Sequence, residues 1–180
     1  MKKILLSYSL ISCLSIVSSN IYAADENSIS VGYAQSHAKA DGASLGDDPQ
    51  GFNLKYRYEF NDHWGIINSF AYTHKGYDFY YGNSKIGSGN IDFYSLSTGP
   101  IFRINEYVSL YGLIGAFHGE SKLSLLEFDQ SESFSKTAML AGLGGQFNPY
   151  PNVVIDVSYE YSKLDDVKVG TWMLGAGYRF

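Results

Sequence analysis

Residues Gly51 to Phe60 read GFNLKYRYEF, and their alternation decides the fold class. Phe52, Leu54, Tyr56, Tyr58 and Phe60 fall on one face of an extended chain; Asn53, Lys55, Arg57 and Glu59 fall on the other. A helix, with about 3.6 residues per turn, smears both sets around its circumference, so only a strand separates them. The pattern recurs at Val153 to Tyr161, where Val153, Ile155, Val157, Tyr159 and Tyr161 oppose Val154, Asp156, Ser158 and Glu160. It closes the chain as well: Trp172, Leu174, Ala176, Tyr178 and Phe180 oppose Thr171, Met173, Gly175, Gly177 and Arg179. Less regular strands fit Ile29 to Ser36, Trp64 to His74, Phe93 to Ile104, Val108 to Phe117 and Lys136 to Phe147, making eight in all. Val108 to Phe117 (VSLYGLIGAF) is apolar on both faces, and the pattern leaves its facing open.

The connections alternate in length. Asn61 to His63, Asn105 to Tyr107 and Asn148 to Asn152 are short and rich in turn formers. Ala38 to Gln50, Gly76 to Asp92 and Gly119 to Ser135 are long, and Leu164 to Lys168 is modest. Short turns at one end, long loops at the other and an even strand count predict an all-β, eight-stranded antiparallel transmembrane barrel. A soluble barrel also alternates, but it turns its apolar face inward. Five large side chains per strand would overfill eight strands, whose interior holds little more than its own small residues. Turned outward, the same residues meet lipid. The aromatics agree: Phe60, Trp64, Phe102, Tyr107, Phe147, Tyr150 and Phe180 sit at the short-turn end. Tyr72, Tyr77, Tyr94, Tyr161 and Trp172 sit near the long loops, as two interfacial girdles require.

The amino terminus has the three parts of a secretory signal: Lys2 and Lys3, the apolar run Ile4 to Val17, and Ile21-Tyr22-Ala23 as a cleavage site. Residues 1–23 are therefore expected to be removed, leaving 24–180 as the barrel. Cys13, the one cysteine, lies in the signal; it would suit a lipoprotein site were the apolar run not continuing past it through Leu14, Ile16 and Val17. The formal charge of −5 becomes −7 once the two leader lysines are lost, which disfavours nucleic acid as a partner. No disulfide can form in the mature chain.

Inside the barrel, Lys55, Arg57, Arg103 and Arg179 face Glu59, Asp156 and Glu160 as an inward polar network, tolerable only when paired. A filled interior leaves no solute channel. Four histidines, His37, His63, His74 and His118, are the candidates for enzymatic chemistry, but neighbours along a strand alternate faces and make no nucleophile–base pair. No cysteine or close histidine pair has metal-ligand spacing, and no cofactor is implied.

GFNLKYRYEF closely resembles the second strand of the Ail/OmpX/PagC/Lom family of outer-membrane proteins, and three further segments resemble it in order. They are TGPIFRINEYVSLYG (Thr98 to Gly112), QFNPYPNVVIDVSYEYS (Gln146 to Ser162) and VGTWMLGAGYRF (Val169 to Phe180). On these motifs the OmpX branch is nearest. The resemblance implies both termini in the periplasm, long loops outside, and some strands prolonged as a protruding sheet, which YDFYYG (Tyr77 to Gly82) and NIDFYS (Asn90 to Ser95) suit. It also implies that Tyr178 and Phe180 form the carboxy-terminal signal read by the barrel assembly machinery. The implied roles are attachment to and invasion of host cells, through a host-cell or matrix protein, and resistance to serum complement.

The long loops match the family poorly, so no binding residue is carried over. Read directly, Leu123, Leu125, Leu126 and Phe128 form either a protein-contact patch or a cover for the rim and an extension of the neighbouring strands. Lys39, Lys75, Lys85, Lys122, Lys136, Lys163 and Lys168 lie at the outer rim, where lipopolysaccharide phosphate is the plainest partner and an anionic host glycan the next. The alternatives to an attachment protein are a structural barrel that contacts lipopolysaccharide without a host ligand and, more remotely, a lipid-modifying barrel enzyme.

Overall fold

The computed structural model describes residues 27–40, 43–44, 48–81, 84–125 and 130–180. The expected leader 1–23 and Cys13 lie outside them. Eight strands make the barrel: β1 Ser28–Ala40, β2 Gln50–Glu59, β3 Trp64–Tyr81, β4 Ser84–Arg103, β5 Val108–Leu125, β6 Gln130–Tyr150, β7 Val153–Leu164 and β8 Val167–Arg179. Each pairs antiparallel with the next, and β1 closes on β8 from Ser28↔Arg179 to Ala40↔Val167. A two-residue return, Ala43–Ser44, lies back against the top of β1.

The short turns are built by asparagine. Asn61 Oδ1 accepts from the backbone N–H of His63 and Trp64 at 3.0 and 2.9 Å, and Asn105 Oδ1 does the same for Tyr107 and Val108 at 2.9 and 2.8 Å. A side chain that mimics a turn carbonyl thus reverses the chain in three residues.

At the other end, two of the three long connections are mostly strand. The β3–β4 ladder continues to Tyr81↔Ser84 and the β5–β6 ladder to Leu125↔Gln130, with β4 and β5 paired as far as Gly87↔Leu125. β3 to β6 therefore rise past the barrel wall as one sheet. Gly76 to Asp92 and Gly119 to Ser135, long connections by the alternation alone, are largely the prolonged strands that the family resemblance implies at Tyr77 to Gly82 and Asn90 to Ser95. Beyond the membrane both faces of a sheet are wet, so nothing enforces the period-two alternation that marks strands in lipid. Leu164 to Lys168 tightens to a two-residue turn at Asp165 and Asp166, with Asp165 at φ 52°, a left-handed conformation aspartate tolerates.

Facing follows the alternation. Asn53, Lys55, Arg57 and Glu59 are buried inside while Phe52, Leu54 and Phe60 lie outside. On β5 the structure settles what the pattern left open: Ser109, Tyr111, Leu113 and Phe117 point in, and Leu110 and Ile114 point out. The reason is volume. Tyr111 and Leu113 stand opposite Gly144 and Gly142 of β6, and a Cβ at Gly144 would lie 2.4 Å from the Tyr111 ring. β6 therefore supplies space that β5 fills. Both girdles are present, with Trp64, Tyr107, Phe147 and Phe180 exposed at the turn end. Tyr94, Tyr161 and Trp172 are exposed at the other, joined by Tyr33 and Phe52, which the sequence reading passed over. Tyr77 does not belong there: it lies above the girdle, on the strand face that continues the barrel's interior side.

Candidate functional site: the outer rim and the barrel interior

Lys55, Arg57, Arg103, Glu59, Asp156 and Glu160 fall into three sets inside the barrel. Lys55 pairs with Asp156 and its Nζ donates to Ser158 Oγ at 2.6 Å, while the Tyr111 hydroxyl lies 3.0 and 2.9 Å from the two Asp156 oxygens. Toward the turn end, Glu59 is shared by Arg57 and Arg103, and Arg57 also donates to Gln146 Oε1 at 3.0 Å. Glu160 stands apart from the cations and accepts from Ser95 and Ser97, both at 2.7 Å. Arg179 lies half-buried at the turn end, opposite Ser28 of β1. Apolar clusters separate the layers: Ile67, Ile101, Tyr111 and Leu113; Ala34, Ala71 and Met173; and, near the mouth, Phe93, Phe117, Leu140 and Val169. The apolar filling was not legible as such, because β5 gave no facing.

At the rim, lysines converge across three strands. Lys39 of β1 lies directly opposite Lys168 of β8, which lies directly opposite Lys163 of β7, and all three are exposed on the outward face. Like charges in direct cross-strand register repel, so the row costs stability unless anions meet it. Lys39 and Lys168 also border a cavity of about 490 Å³ whose remaining lining is Gln35, His37, Asp48, Tyr159, Tyr161, Gly170 and Trp172, so one carboxylate, tied to His37, shares it with the two cations. The ring of Tyr159 lies over Gly170, where a Cβ would come within 2.1 Å of its hydroxyl. Aromatic walls beneath a row of cations match a lipid headgroup whose phosphates lie above its acyl chains.

The remaining lysines divide. Lys122 faces outward and pairs with Glu120 at 2.8 Å. Lys75 and Lys136 continue the inward-facing rows of β3 and β6, and Lys136 pairs with Asp165. Strand parity puts those two on the mouth side of the rim. The side chains of Lys85, Leu123 and Leu125, and all of Leu126 and Phe128, fall outside what is described, although the backbone of Leu123 and Leu125 belongs to β5.

Each rim histidine has its own partner. His37 Nδ1 lies 2.5 Å from Asp48 Oδ1, and Asp48 also accepts from Gln35 Nε2 at 2.8 Å. The His37 hydrogen bond, outweighing partial burial and helped by Gln35, holds the Asp48 carboxyl below its ordinary range. His74 Nδ1 and the Tyr72 hydroxyl both reach Asp92 Oδ1, at 2.8 and 2.6 Å. Burial opposes the charged form of Asp92, but these hydrogen bonds prevail and lower its pKa. His118 Nδ1 lies 2.8 Å from Thr137 Oγ1, and among the described residues no two histidines share a carboxylate.

A closed eight-stranded barrel with girdles, inward charges and a protruding sheet is an outer-membrane architecture, and the comparisons place it. The outer membrane protein beta-barrel domain matches residues 9–180. The chain is 68% identical over 180 residues to the attachment invasion locus protein of Yersinia enterocolitica, covering all of both chains. This chain belongs to the Ail/OmpX/PagC family of outer-membrane proteins. It is 38% identical over 185 residues to outer membrane protein X of Escherichia coli K12, again over the full length of both. Identity is thus higher on the attachment-protein side than on the OmpX side that the strand motifs favour. Among solved structures, it superimposes with a TM-score of 0.82 on Ail of Yersinia pestis, crystallised with the heparin analogue sucrose octasulfate. The two are 62% identical over 87% of this chain and 99% of that one. The protein resides in the outer membrane, as its relatives do.

Proposed function

We propose that this barrel is an attachment protein of the bacterial surface, which engages a host-cell or matrix protein through its extracellular end and supports invasion and serum resistance. The observation that carries the reading is the 68% identity, over the full length of both chains, to an attachment invasion locus protein. The sheet formed by β3 to β6, raised above the girdle, supports it by presenting a surface beyond the lipid. Leu123, Leu125, Leu126 and Phe128 are its contact residues in this reading, the first two at the outer end of β5 and the others following it in sequence. The test is attachment of a non-adherent Gram-negative strain expressing the protein, beside a variant with those four residues changed to serine. Both must show heat-modifiable gel migration, which reports a folded barrel. Adhesion gained with the native chain and lost with the variant supports the reading; no adhesion by the folded native chain overturns it.

A second role is compatible with the first. The Lys39–Lys168–Lys163 row favours anion contact, with lipopolysaccharide phosphate as the resident partner and a sulfated glycan as the host one. Crystallisation of the Yersinia pestis relative with a heparin analogue supports the second ligand class. The same barrel without a host ligand would be a structural component holding lipopolysaccharide. Enzymatic chemistry has no part in this proposal, nor has any cofactor. Residues 1–23 are proposed to be the export signal. Tyr178 and Phe180 are proposed to address the chain to the assembly machinery; both are exposed, with rings 6.5 Å apart and nearly parallel at 14°.

A further inference from the structure

The cavity at the lysine row offers both signs of charge and keeps them apart. Strand register sets its walls out in three rows on the outward face. Lys163, Lys168 and Lys39 form the top row, Tyr161, Gly170 and His37 the next, and Tyr159, Trp172 and Gln35 the lowest. Asp48 stands beside the middle row, because His37 Nδ1 and Gln35 Nε2 each hold one of its oxygens, at 2.5 and 2.8 Å. The β1–β2 connection that carries Asp48 leads into Gln50, which pairs with Gln35, so the carboxylate lies on the β2 side of β1. The cations lie over β1 and β8. Among the described residues no ion pair joins Asp48 to Lys39 or Lys168, and neither lysine has another anionic partner.

The carboxylate is tied but not used up. An ionised carboxylate has about four acceptor positions, and His37 and Gln35 take two. Its side chain remains 29% exposed. Under the charges lies an apolar floor, where the rings of Tyr159 and Trp172 stand 4.6 Å apart and Trp172 is exposed in the outer girdle. A phosphate alone satisfies the lysines and is repelled by Asp48; an amine alone does the reverse. A headgroup that carries a primary amine on its phosphate satisfies both ends at once, lying along the wall from β8 toward β2 with its acyl chains running down past Trp172. The cavity faces the bilayer in which the barrel sits, so the lipid comes from the bacterium's own outer leaflet.

We propose that this cavity binds an outer-leaflet lipid with a phosphoethanolamine-type headgroup, Lys39 and Lys168 meeting the phosphate and Asp48 accepting from the ammonium. The inference rests on the anion contact proposed above for the lysine row and adds Asp48 as the residue that sets specificity. Gln35 and His37 are positioning residues, which hold the carboxylate against the wall.

The test uses residues 24–180 folded in a neutral maltoside detergent, with Trp64→Phe leaving Trp172 as the one tryptophan. Its fluorescence follows titration with short-chain phosphatidylethanolamine and, separately, with phosphatidic acid, which has the phosphate without the amine. Lys39→Gln with Lys168→Gln should weaken both lipids. Asp48→Asn should lower the ratio of phosphatidylethanolamine to phosphatidic acid affinity about tenfold. Gln35→Leu cuts one tie and keeps the carboxylate, so it should leave that ratio near the native value; a ratio that falls as far as in Asp48→Asn would assign the effect to a loosened connection and overturn the proposal. Heat-modifiable migration checks that each variant is folded. If the lysine variant binds both lipids as the native protein does, the anion contact fails and this inference with it. If the lysine variant weakens both but Asp48→Asn leaves the ratio unchanged, the anion contact stands and the zwitterion site is overturned.

Discussion

Replacing Lys55 with methionine should destabilise the barrel by about 3–5 kcal/mol, and replacing Lys55 and Asp156 together should cost far less than the two single changes summed. The reasoning starts from burial: Lys55 is 1% and Asp156 0% exposed, so neither charge is hydrated by bulk solvent. Their partners are few. With the lysine gone, Asp156 retains the Tyr111 hydroxyl, one neutral donor for a carboxylate that has lost its counter-ion. With Asp156 changed to leucine, Lys55 retains only Ser158 among its described hydrogen-bond partners, and a buried ammonium on one neutral oxygen is worse placed still. The double variant buries no unpaired charge and loses chiefly the hydrogen bonds to Ser158 and Tyr111, each worth about 1–3 kcal/mol where the partner is left unsatisfied. The coupling should therefore be about 2–4 kcal/mol and favourable to the pair. Urea titration in lipid vesicles, followed by heat-modifiable migration and tryptophan fluorescence, measures all four proteins. Additive costs would refute the argument, because they would mean the two charges are compensated independently, by water inside the barrel.

Tyr56 lies directly opposite Asn68, which is four residues from Trp64 and four from Tyr72 of the two girdles and so near mid-membrane. It should tolerate arginine badly, at about 2–4 kcal/mol in the same titration. Asn61→Ala and Asn105→Ala each remove a turn cap and should cost about 1 kcal/mol apiece, adding in the double variant because the turns share no partner. Asp165→Val places a β-branched residue at φ 52° and should weaken the β7–β8 turn by about 1–2 kcal/mol, whereas Asp165→Asn, which keeps an αL-tolerant residue, should cost less. The Asp48 tie carries a pH signature. Its carboxyl is held below the ordinary value of 3.8, so the contact with His37 and Gln35 stabilises above that value and is lost as pH falls through the lowered pKa. Proteolysis of the β1–β2 connection by an acid-active protease should accelerate only below about pH 3.8, and a rate that stays flat as the pH falls further would refute the tie.

The membrane-embedded half of the fold was readable because lipid imposes a rule on every second residue. β2, β7 and β8 obey it strictly, and for them the alternation predicted both extent and facing. The rule stops where water begins. β3 to β6 each run on past the residues expected to end them, through Gly, Ser and Lys that carry no parity signal. Lys75 and Lys136 show the same limit: position along the chain places them at the rim, and only strand parity tells that they lie on its mouth side. The lysine row was invisible for a different reason. Lys39, Lys163 and Lys168 come from opposite ends of the chain, and only the closing register of β1 on β8 makes them neighbours.

β5 shows what alternation alone cannot decide. Its two faces are equally apolar, so transfer from water to lipid or to the interior is worth nearly the same for either, and hydropathy has nothing to choose between. Packing chooses. Turned the other way, β5 would set Leu110, Gly112, Ile114 and Ala116 against the glycines of β6, leaving a void beside Gly144 and Gly142. It would also send Ser109 and the Tyr111 hydroxyl into lipid and strip Asp156 of the donor that shares it with Lys55. The glycines of one strand, the tyrosine of its neighbour and the carboxylate across the barrel therefore form a single constraint. The information was in the sequence, divided among Tyr111, Gly144 and Asp156, and no window along one strand contains all three.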